Sequence, residues 1–349
     1  MIMRISFFGK IILLFALAFG ATTSGQQQEK PKNIILLIGD GMGLSEISSS
    51  LYFNENSSNF LRFNTVGLSM TSSSKELITD SAAGATAFAS GIKTYNGAIG
   101  VDDNKKPVET IVEQISKKGI ATGLVATSSI VHATPAAFYA HQESRRMYDE
   151  IAEDLVRSDI DFFAGGGLKF FQNREDGKDL VQALRDRNFE VSTTVLPKKI
   201  SEKKHAILLA PNGMPKMSEN RGNFLTNATM LAIGQLSKNK DGFFLMVEAS
   251  QIDWGGHDND SEYLINELLD FDKTIGAVLD FAKQNGETLV IVTADHETGG
   301  FTLSAKEGNY NEIQASFSTT GHSATMVPVF AQGPGEQSFG GIYQNTNIY

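Results

Sequence analysis

Gln251-Ile252-Asp253-Trp254-Gly255-Gly256-His257 offers a carboxylate and an imidazole four positions apart. Both donor types bind Zn²⁺, and the spacing suits one ion. A solvated loop would explain the same pair, which arises often by chance. Asp295-His296 follows a short apolar run, so two further donors stand at the end of a predicted strand. They serve one metal only if the chain turns there; otherwise Asp295 caps a helix and His296 is incidental. His322, in Gly321-His322-Ser323, precedes another apolar stretch at 326–330. Asp40 ends the first apolar run between glycines, where the backbone can turn sharply or approach a ligand; an ordinary turn aspartate is the bland alternative. Asp80-Ser81-Ala82-Ala83-Gly84 puts Ser81 at a predicted helix start. Capping is the commonest reason for Ser or Asp there. The chemical alternative is a nucleophile, whose alkoxide a helix N-terminus and nearby cations would favour. No Ser-His-Asp arrangement is evident, and the stretch is not a G-x-S-x-G elbow. Activation would therefore fall to a metal. Three histidines and several carboxylates at strand ends are the inventory of a two-metal phosphoryl-transfer site.

These donors are far apart in sequence, so the fold must gather them. Residues 33–38 are apolar throughout and end at Gly39-Asp40-Gly41. Such a run reads as a strand buried on both faces. Residues 122–127, 243–247 and 288–293 look alike. Helical patterns at 108–115 and 262–282 lie between them. Buried strands alternating with helices predict an α/β protein, a three-layer α/β/α sandwich around a mostly parallel sheet. Asp40, Ser128, Glu248 and Asp295 each stand at the end of an apolar run. Ligands bind outside the carboxyl ends of strands in open α/β sheets, so these positions should share one rim. The polar stretch 198–216 reads as a surface excursion. No internal repeat and no linker divides the chain after its N-terminal segment.

The chain has 349 residues, 41% of them hydrophobic, enough for a sizeable core. A formal charge of −10 argues against nucleic-acid recognition. It does not argue against anionic substrates, because bound metals can reverse a local field. Arg4 and Lys10 flank the apolar run 11–19, and small residues follow at Gly20, Ala21, Ser24 and Gly25. That pattern predicts a signal peptide over residues 1–25, cleaved between about Gly20 and Gln26. The run is shorter than the ~20 residues of a membrane span. The mature chain, residues 26–349 as one domain, is then periplasmic or secreted with no membrane anchor. There is no cysteine, which excludes disulfides and a lipidated cysteine.

The motifs together resemble the alkaline phosphatase family. The likeness rests on residues 33–43 (NIILLIGDGMG), 79–87 (TDSAAGATA), 132–137 (HATPAA), 247–257 (VEASQIDWGGH), 293–300 (TADHETGG) and Gly321-His322. It spans most of the chain, and compact bacterial members of cold-environment type are the nearest in pattern. The resemblance implies hydrolysis of small-molecule phosphate monoesters at alkaline pH through a phosphoserine on Ser81. It implies two Zn²⁺ and one Mg²⁺ per subunit. Asp253, His257 and His322 would hold the first zinc, and Asp40, Asp295 and His296 the second. Asp40 would also reach the third site, where Thr134 and Glu248 match the magnesium ligands. Arg145 matches the arginine that grips phosphate, which its planar guanidinium can do bidentately.

Two positions depart from the common pattern. His132 stands where some members carry Asp and others His, so it either binds the third metal or holds its waters. Trp254 stands where other members carry a Lys or His near the phosphate; losing that cation should weaken phosphate retention and speed product release. His322 follows His296 by only 26 positions. Many relatives carry a crown insertion there, which should be small or absent here. A homodimer is the family expectation, and the short insertion keeps a monomer in view. The rivals are a phosphodiesterase or sulfatase of the same superfamily and a non-catalytic phosphate- or metal-binding protein. Ser81-Ala82-Ala83-Gly84-Ala85 lacks the C/S-x-P-x-R context of sulfatases. A binding protein would be expected to have lost Ser81, Arg145 or a ligand.

Overall fold

Asn33–Gly39 (β1) is apolar at successive positions because both of its faces are covered. Alternate side chains of a strand point to opposite faces. Ile35 and Leu37 therefore join one hydrophobic core, and Leu36 and Ile38 join another. The computed structural model describes residues 30–349. The predicted signal peptide lies outside the described residues.

After β1 come α1 (Leu44–Phe53), β2 (Thr65–Met70), α2 (Ser81–Ser90), α3 (Ile111–Ser116) and β3 (Ala121–Ser129). The chain continues through α4 (Ala133–Ala136), α5 (Tyr148–Arg157), β4 (Phe162–Gly166), α6 (Leu180–Asp186), β5 (Phe189–Ser192) and β6 (Lys204–Leu208). Then follow α7 (Phe224–Leu236), β7 (Phe243–Ala249), α8 (Gln251–His257), α9 (Ser261–Asn285) and β8 (Thr288–Thr293). Short strands β9 (Glu297–Thr298) and β12 (His322–Ser323) pair with each other, and β10 (Thr302–Lys306) and β11 (Asn309–Ser316) form a ribbon between them. β13 (Val327–Gln332) and β14 (Gly341–Gln344) return to the main sheet.

That sheet has ten strands in the order β14-β2-β13-β8-β1-β7-β3-β4-β6-β5. β13 runs antiparallel to both of its neighbours, and the remaining pairings are parallel. α7 and α9 cover one face; α2, α4, α5 and α6 cover the other. The protein is a three-layer α/β/α sandwich, as the alternating pattern predicts. α9 shows why: Leu264, Leu268, Phe271, Ile275 and Val278 recur at helical spacing and are fully buried. Each such side chain contributes about 1.5–3 kcal/mol by leaving water.

Register gathers the polar strand ends. Ile38 of β1 pairs with Glu248 of β7 on one side and Thr293 of β8 on the other. Ala126 of β3 pairs with the same Glu248. Asp40, Ser128, Glu248 and Asp295 consequently lie along one rim of four adjacent strands.

Two expectations are corrected. The polar stretch 198–216 is not wholly a surface excursion, because it contains β6, a sheet strand with His205, Ala206, Ile207 and Leu208 buried. The short apolar run there is masked by flanking lysines. The helix predicted at 108–115 begins only at Ile111, because Thr110 caps it: its side chain accepts from the Glu113 N–H while Glu113 accepts from the Thr110 N–H.

Candidate active site

Asp80 and Ser81 open α2. The Asp80 carboxylate accepts from the Ala83 N–H at 3.0 Å, and Ser81 is the first helical residue. The capping reading of this block falls on Asp80, which leaves the Ser81 hydroxyl free of that role. Ser81 is buried, with its Oγ 3.2 Å from His296 Nε2 and 3.4 Å from Asp40 Oδ1. The helix can approach so closely because its third turnward neighbour is small. A Cβ on Gly84 would lie 3.0 Å from the Asp295 Cβ.

Three groups of donors surround Ser81. In the first, Asp253 and His257 project from one turn of α8, so the pair is helical and not a loop. Asp253 Oδ1 lies 3.3 Å from His257 Nε2 and 3.6 Å from His322 Nε2. The two Nε2 atoms are 3.2 Å apart. His257 Nδ1 donates to the Thr320 carbonyl at 2.6 Å, and His322 Nδ1 donates to the Thr79 carbonyl at 2.8 Å. With Nδ1 committed to a carbonyl, each ring turns its Nε2 toward the other ring and toward a carboxylate. A cation between them fits that arrangement.

Asp40, Asp253 and His296 form the second group, with ligating atoms mutually within 4.8 Å. Asp295 adjoins it: its Oδ2 is 3.4 Å from His296 Nε2 and has no hydrogen-bond partner. The chain does turn after β8, which lets Asp295 and His296 face the same point. Thr298 Oγ1 donates to Asp253 Oδ1 at 2.6 Å and lies 3.2 Å from His296 Nδ1. The hydroxyl has one proton, so it accepts from His296 Nδ1–H, which again leaves Nε2 free.

The third group is Asp40, His132 and Glu248. Ser250 and Ser128 hydroxyls donate to Glu248 Oε2 at 2.6 Å and 3.1 Å. Glu248 Oε1, Asp40 Oδ2, His132 Nδ1 and Thr134 Oγ1 are buried without a hydrogen-bond partner. Burial, with Asp295, Asp253 and Glu248 nearby, raises the Asp40 carboxyl well above its usual range. Burial likewise pushes Glu248 up to about 7. His132 and His296 are each pushed down to about 3 by burial, aided by Arg145 for the former and His322 for the latter. Buried acids this close together must either keep protons or meet compensating cations. The oxygen and imidazole donors of the first two groups fit zinc, and the oxygen-rich third, with its unpartnered atoms, fits a harder ion.

Arg145 joins the site through Asp80 and His132. Its Nη1 donates to Asp80 Oδ2 at 2.9 Å, and its Nη2 lies 3.4 Å from His132 Nε2. Burial would raise the Asp80 carboxyl, but Arg145 and the Ala83 and Gly97 N–H groups hold it below its usual value. Trp254 meets the His132 ring edge-on at 6.2 Å. Its indole lies so close over Gly213 that a Cβ there would sit 2.6 Å from Trp254 Cη2. All twelve residues singled out from the sequence thus fall in one region. Asp80, Thr298 and Ser250 were missed in their supporting roles. Asp80 adjoins Ser81 and Thr298 lies two residues from His296, but only the folded geometry shows what each orients.

The sequence model of the alkaline phosphatase family matches residues 31–316. Alkaline phosphatase 4 of Bacillus subtilis is 41% identical over 82% of this chain, and alkaline phosphatase 3 of the same organism is 39% identical over 86%. The chain belongs to the alkaline phosphatase family. It spans 65% and 71% of the lengths of those two alkaline phosphatases. The alkaline phosphatase of the Antarctic bacterium TAB5 superposes with a TM-score of 0.90 at 56% identity, covering 92% of this chain and 96% of that one. A variant of that alkaline phosphatase, with a histidine replaced by aspartate, has Mg bound in a site termed M3.

Proposed function

We propose that the chain hydrolyses phosphate monoesters at alkaline pH through a phosphoserine on Ser81. The observation that carries this reading is Ser81 Oγ at the start of α2, within 3.4 Å of both Asp40 and His296. Arg145 is held beside it by Asp80. Asp253, His257 and His322 would hold one zinc, and Asp40, Asp295 and His296 a second. Asp40, Thr134 and Glu248, with His132 as a further donor, would hold magnesium. The Mg-bound variant of the TAB5 enzyme supports a magnesium at a third position. When bound, such ions lower the pKa of the Ser81 hydroxyl and of water and neutralise charge on the departing oxygen.

Arg145 binds two oxygens of the phosphoryl group and sets its phosphorus in line with Ser81 Oγ. Ser81 Oγ gives up its proton to solvent and forms the new P–O bond as the ester P–O bond breaks, and the departing alkoxide takes a proton back from water. A second water attacks from the side the alcohol vacated. Its P–O bond forms as the Ser81 bond breaks, which releases inorganic phosphate and restores the hydroxyl. The protein's part is positioning and charge, because the transition state is loose. Trp254 supplies no cation toward the phosphate, so Arg145 is the guanidinium that retains product.

The first 25 residues fit a secretory signal, so we read the enzyme as periplasmic or secreted. Among the described residues no helix is long and apolar enough to cross a membrane. Homodimer assembly is the accompanying proposal. Acid quenching during turnover, followed by peptide mass spectrometry, tests the central step. Phosphate on the peptide containing Ser81, absent in Ser81→Ala, supports it; turnover with no phosphorylated Ser81 contradicts it.

A further inference from the structure

His141 lies outside the donor groups, yet both of its ring nitrogens face acceptors. Nδ1 is 2.7 Å from the Gly100 carbonyl, and Nε2 is 3.0 Å from Glu113 Oε1. Only the imidazolium donates from both nitrogens. In the neutral ring one lone pair would face either a carbonyl or a carboxylate. The other Glu113 oxygen accepts from Thr110 N–H at 2.8 Å, so the carboxylate is fixed by the cap of α3. Asp154 on α5 accepts from the His141 N–H at 3.3 Å and from Gln142 Nε2 at 2.7 Å. Glu113 and Asp154 are the charged groups that face this histidine; segment 97–100 contributes a carbonyl and no ionisable side chain.

Segment 97–100 connects His141 to Arg145. Ile99 and Gln142 exchange backbone hydrogen bonds of 3.0 and 2.9 Å, and the Arg145 N–H donates to the Gly97 carbonyl at 2.7 Å. The Gly97 N–H in turn donates to Asp80 Oδ1 at 3.0 Å, and Asp80 Oδ2 accepts from Arg145. At the other end the Gly100 N–H donates to Thr86 Oγ1 of α2 at 3.1 Å. Gly100 has φ +55°, and a Cβ there would lie 2.1 Å from the Ala140 carbonyl oxygen, so the two strips of chain are in close contact. His141 closes one end of this ladder, and the Arg145–Asp80 pair closes the other.

We infer that His141 is a positioning residue for Arg145, holding segment 97–100 and the chain leading to Arg145 in register while its ring is protonated. This inference rests on the reading of Arg145 as the phosphate grip. Burial works against the imidazolium, but Glu113, the Gly100 carbonyl and Asp154 outweigh it, and the histidine pKa is raised. A raised histidine keeps its stabilising proton at low pH and loses it as pH rises through the folded value. The hold on Arg145 is therefore strongest at lower pH and relaxes as the medium becomes alkaline. With one side chain 21% and the other 36% exposed, the His141–Glu113 pair is open enough to exchange its proton with solvent.

The test is competitive inhibition of the metal-loaded enzyme by inorganic phosphate across pH, for wild type, His141→Gln and Glu113→Gln. Glu113→Gln keeps an oxygen for the α3 cap and removes the charge and the acceptor that face His141, so it reports on the clamp if His141→Gln folds poorly. Near neutral pH both variants should weaken phosphate inhibition about tenfold, the worth of one charge-assisted hydrogen bond. KM should rise in parallel while kcat stays within about threefold. The variant-to-wild-type ratio should then fall toward one as pH rises, because the wild-type ring also loses its proton. Using the ratio cancels the ionisation of phosphate itself. A ratio of one throughout, or a raised ratio that does not change with pH, overturns the inference. Arg145→Ala is measured alongside. If it weakens phosphate inhibition while the clamp variants do not, only the inference fails. If it leaves inhibition unchanged, the reading of Arg145 fails and takes the inference with it.

Discussion

Thr298 binds nothing in the proposed reaction, yet its single hydroxyl fixes two donors. It gives its proton to Asp253 and takes one from His296, so the carboxylate is oriented and the histidine tautomer is set. Outer partners of this kind typically change metal affinity by about 10–100-fold when removed. Thr298→Val should weaken zinc retention by that amount, measured by competition with a chromogenic chelator; unchanged retention would count against the tautomer argument. Trp254 is a test of opposite sign. It stands by His132 and brings no charge, so Trp254→Lys should tighten inhibition by inorganic phosphate by about tenfold, the worth of one charged hydrogen bond. Inhibition constants for product measure this directly, and no change would mean that the indole is not beside the phosphate. Residue types and neighbours made Ser81, Asp253, His257, Asp295 and His296 candidates in the sequence, each beside a bland alternative; the family resemblance gave them roles, and the fold brings them together. Asp80, Thr298 and Ser250 were not legible there, because a hydrogen-bonding role depends on which atoms meet after folding.

At the scale of elements, the site depends on how closely α2 lies against the rim of the sheet. The helix carries small residues at almost every position, and Gly84 faces Asp295 at close quarters. A methyl at Gly84 would press on the Asp295 Cβ at 3.0 Å, tighter than an ordinary contact. Either the helix or the carboxylate must shift by a few tenths of an ångström. Misplacement of about 1 Å can cost 10²-fold in rate, so Gly84→Ala should lower kcat/KM by about tenfold. Circular dichroism should stay native, since alanine favours helix over glycine. Equal activity in the variant would show that α2 has slack. The buried strands and the long helix α9 were legible because their apolar periodicity is strong. β6 was obscured because four or five apolar residues between lysines resemble a polar loop. The start of α3 was misjudged for a different reason: apolar Val108 fits the helical period, but the Thr110–Glu113 capping box begins the helix later.

Across the whole molecule, the ten-stranded sheet concentrates buried acids along the rim of its central strands, and that concentration lowers stability. Asp40, Asp295 and Glu248 all have raised carboxyl pKa values, chiefly from burial. A raised acid holds its proton in the fold and loses it on unfolding, so it lowers stability as pH rises toward its folded value. His132 and His296, both lowered, act the other way, but only below the unfolded histidine value of about 6.5. Above about pH 6.5 the lowered histidines no longer oppose the carboxyls, and the raised His141 acts in the same direction as they do, so the chelated protein should lose thermal stability between about pH 6.5 and 8. Restoring zinc and magnesium should raise Tm more at the upper pH than at the lower. Differential scanning calorimetry reads this, and a Tm of the chelated protein that rises over that interval would contradict the buried-acid account.

The measurement closest to the central claim is hydrolysis of p-nitrophenyl phosphate at alkaline pH. It compares wild type with Ser81→Ala, each with zinc and magnesium and again after chelation. We predict strong wild-type turnover that requires metal and falls by about 10³-fold or more in Ser81→Ala, the scale expected when a nucleophile is removed. Little wild-type turnover with every metal restored, or turnover that survives the loss of Ser81, would contradict it.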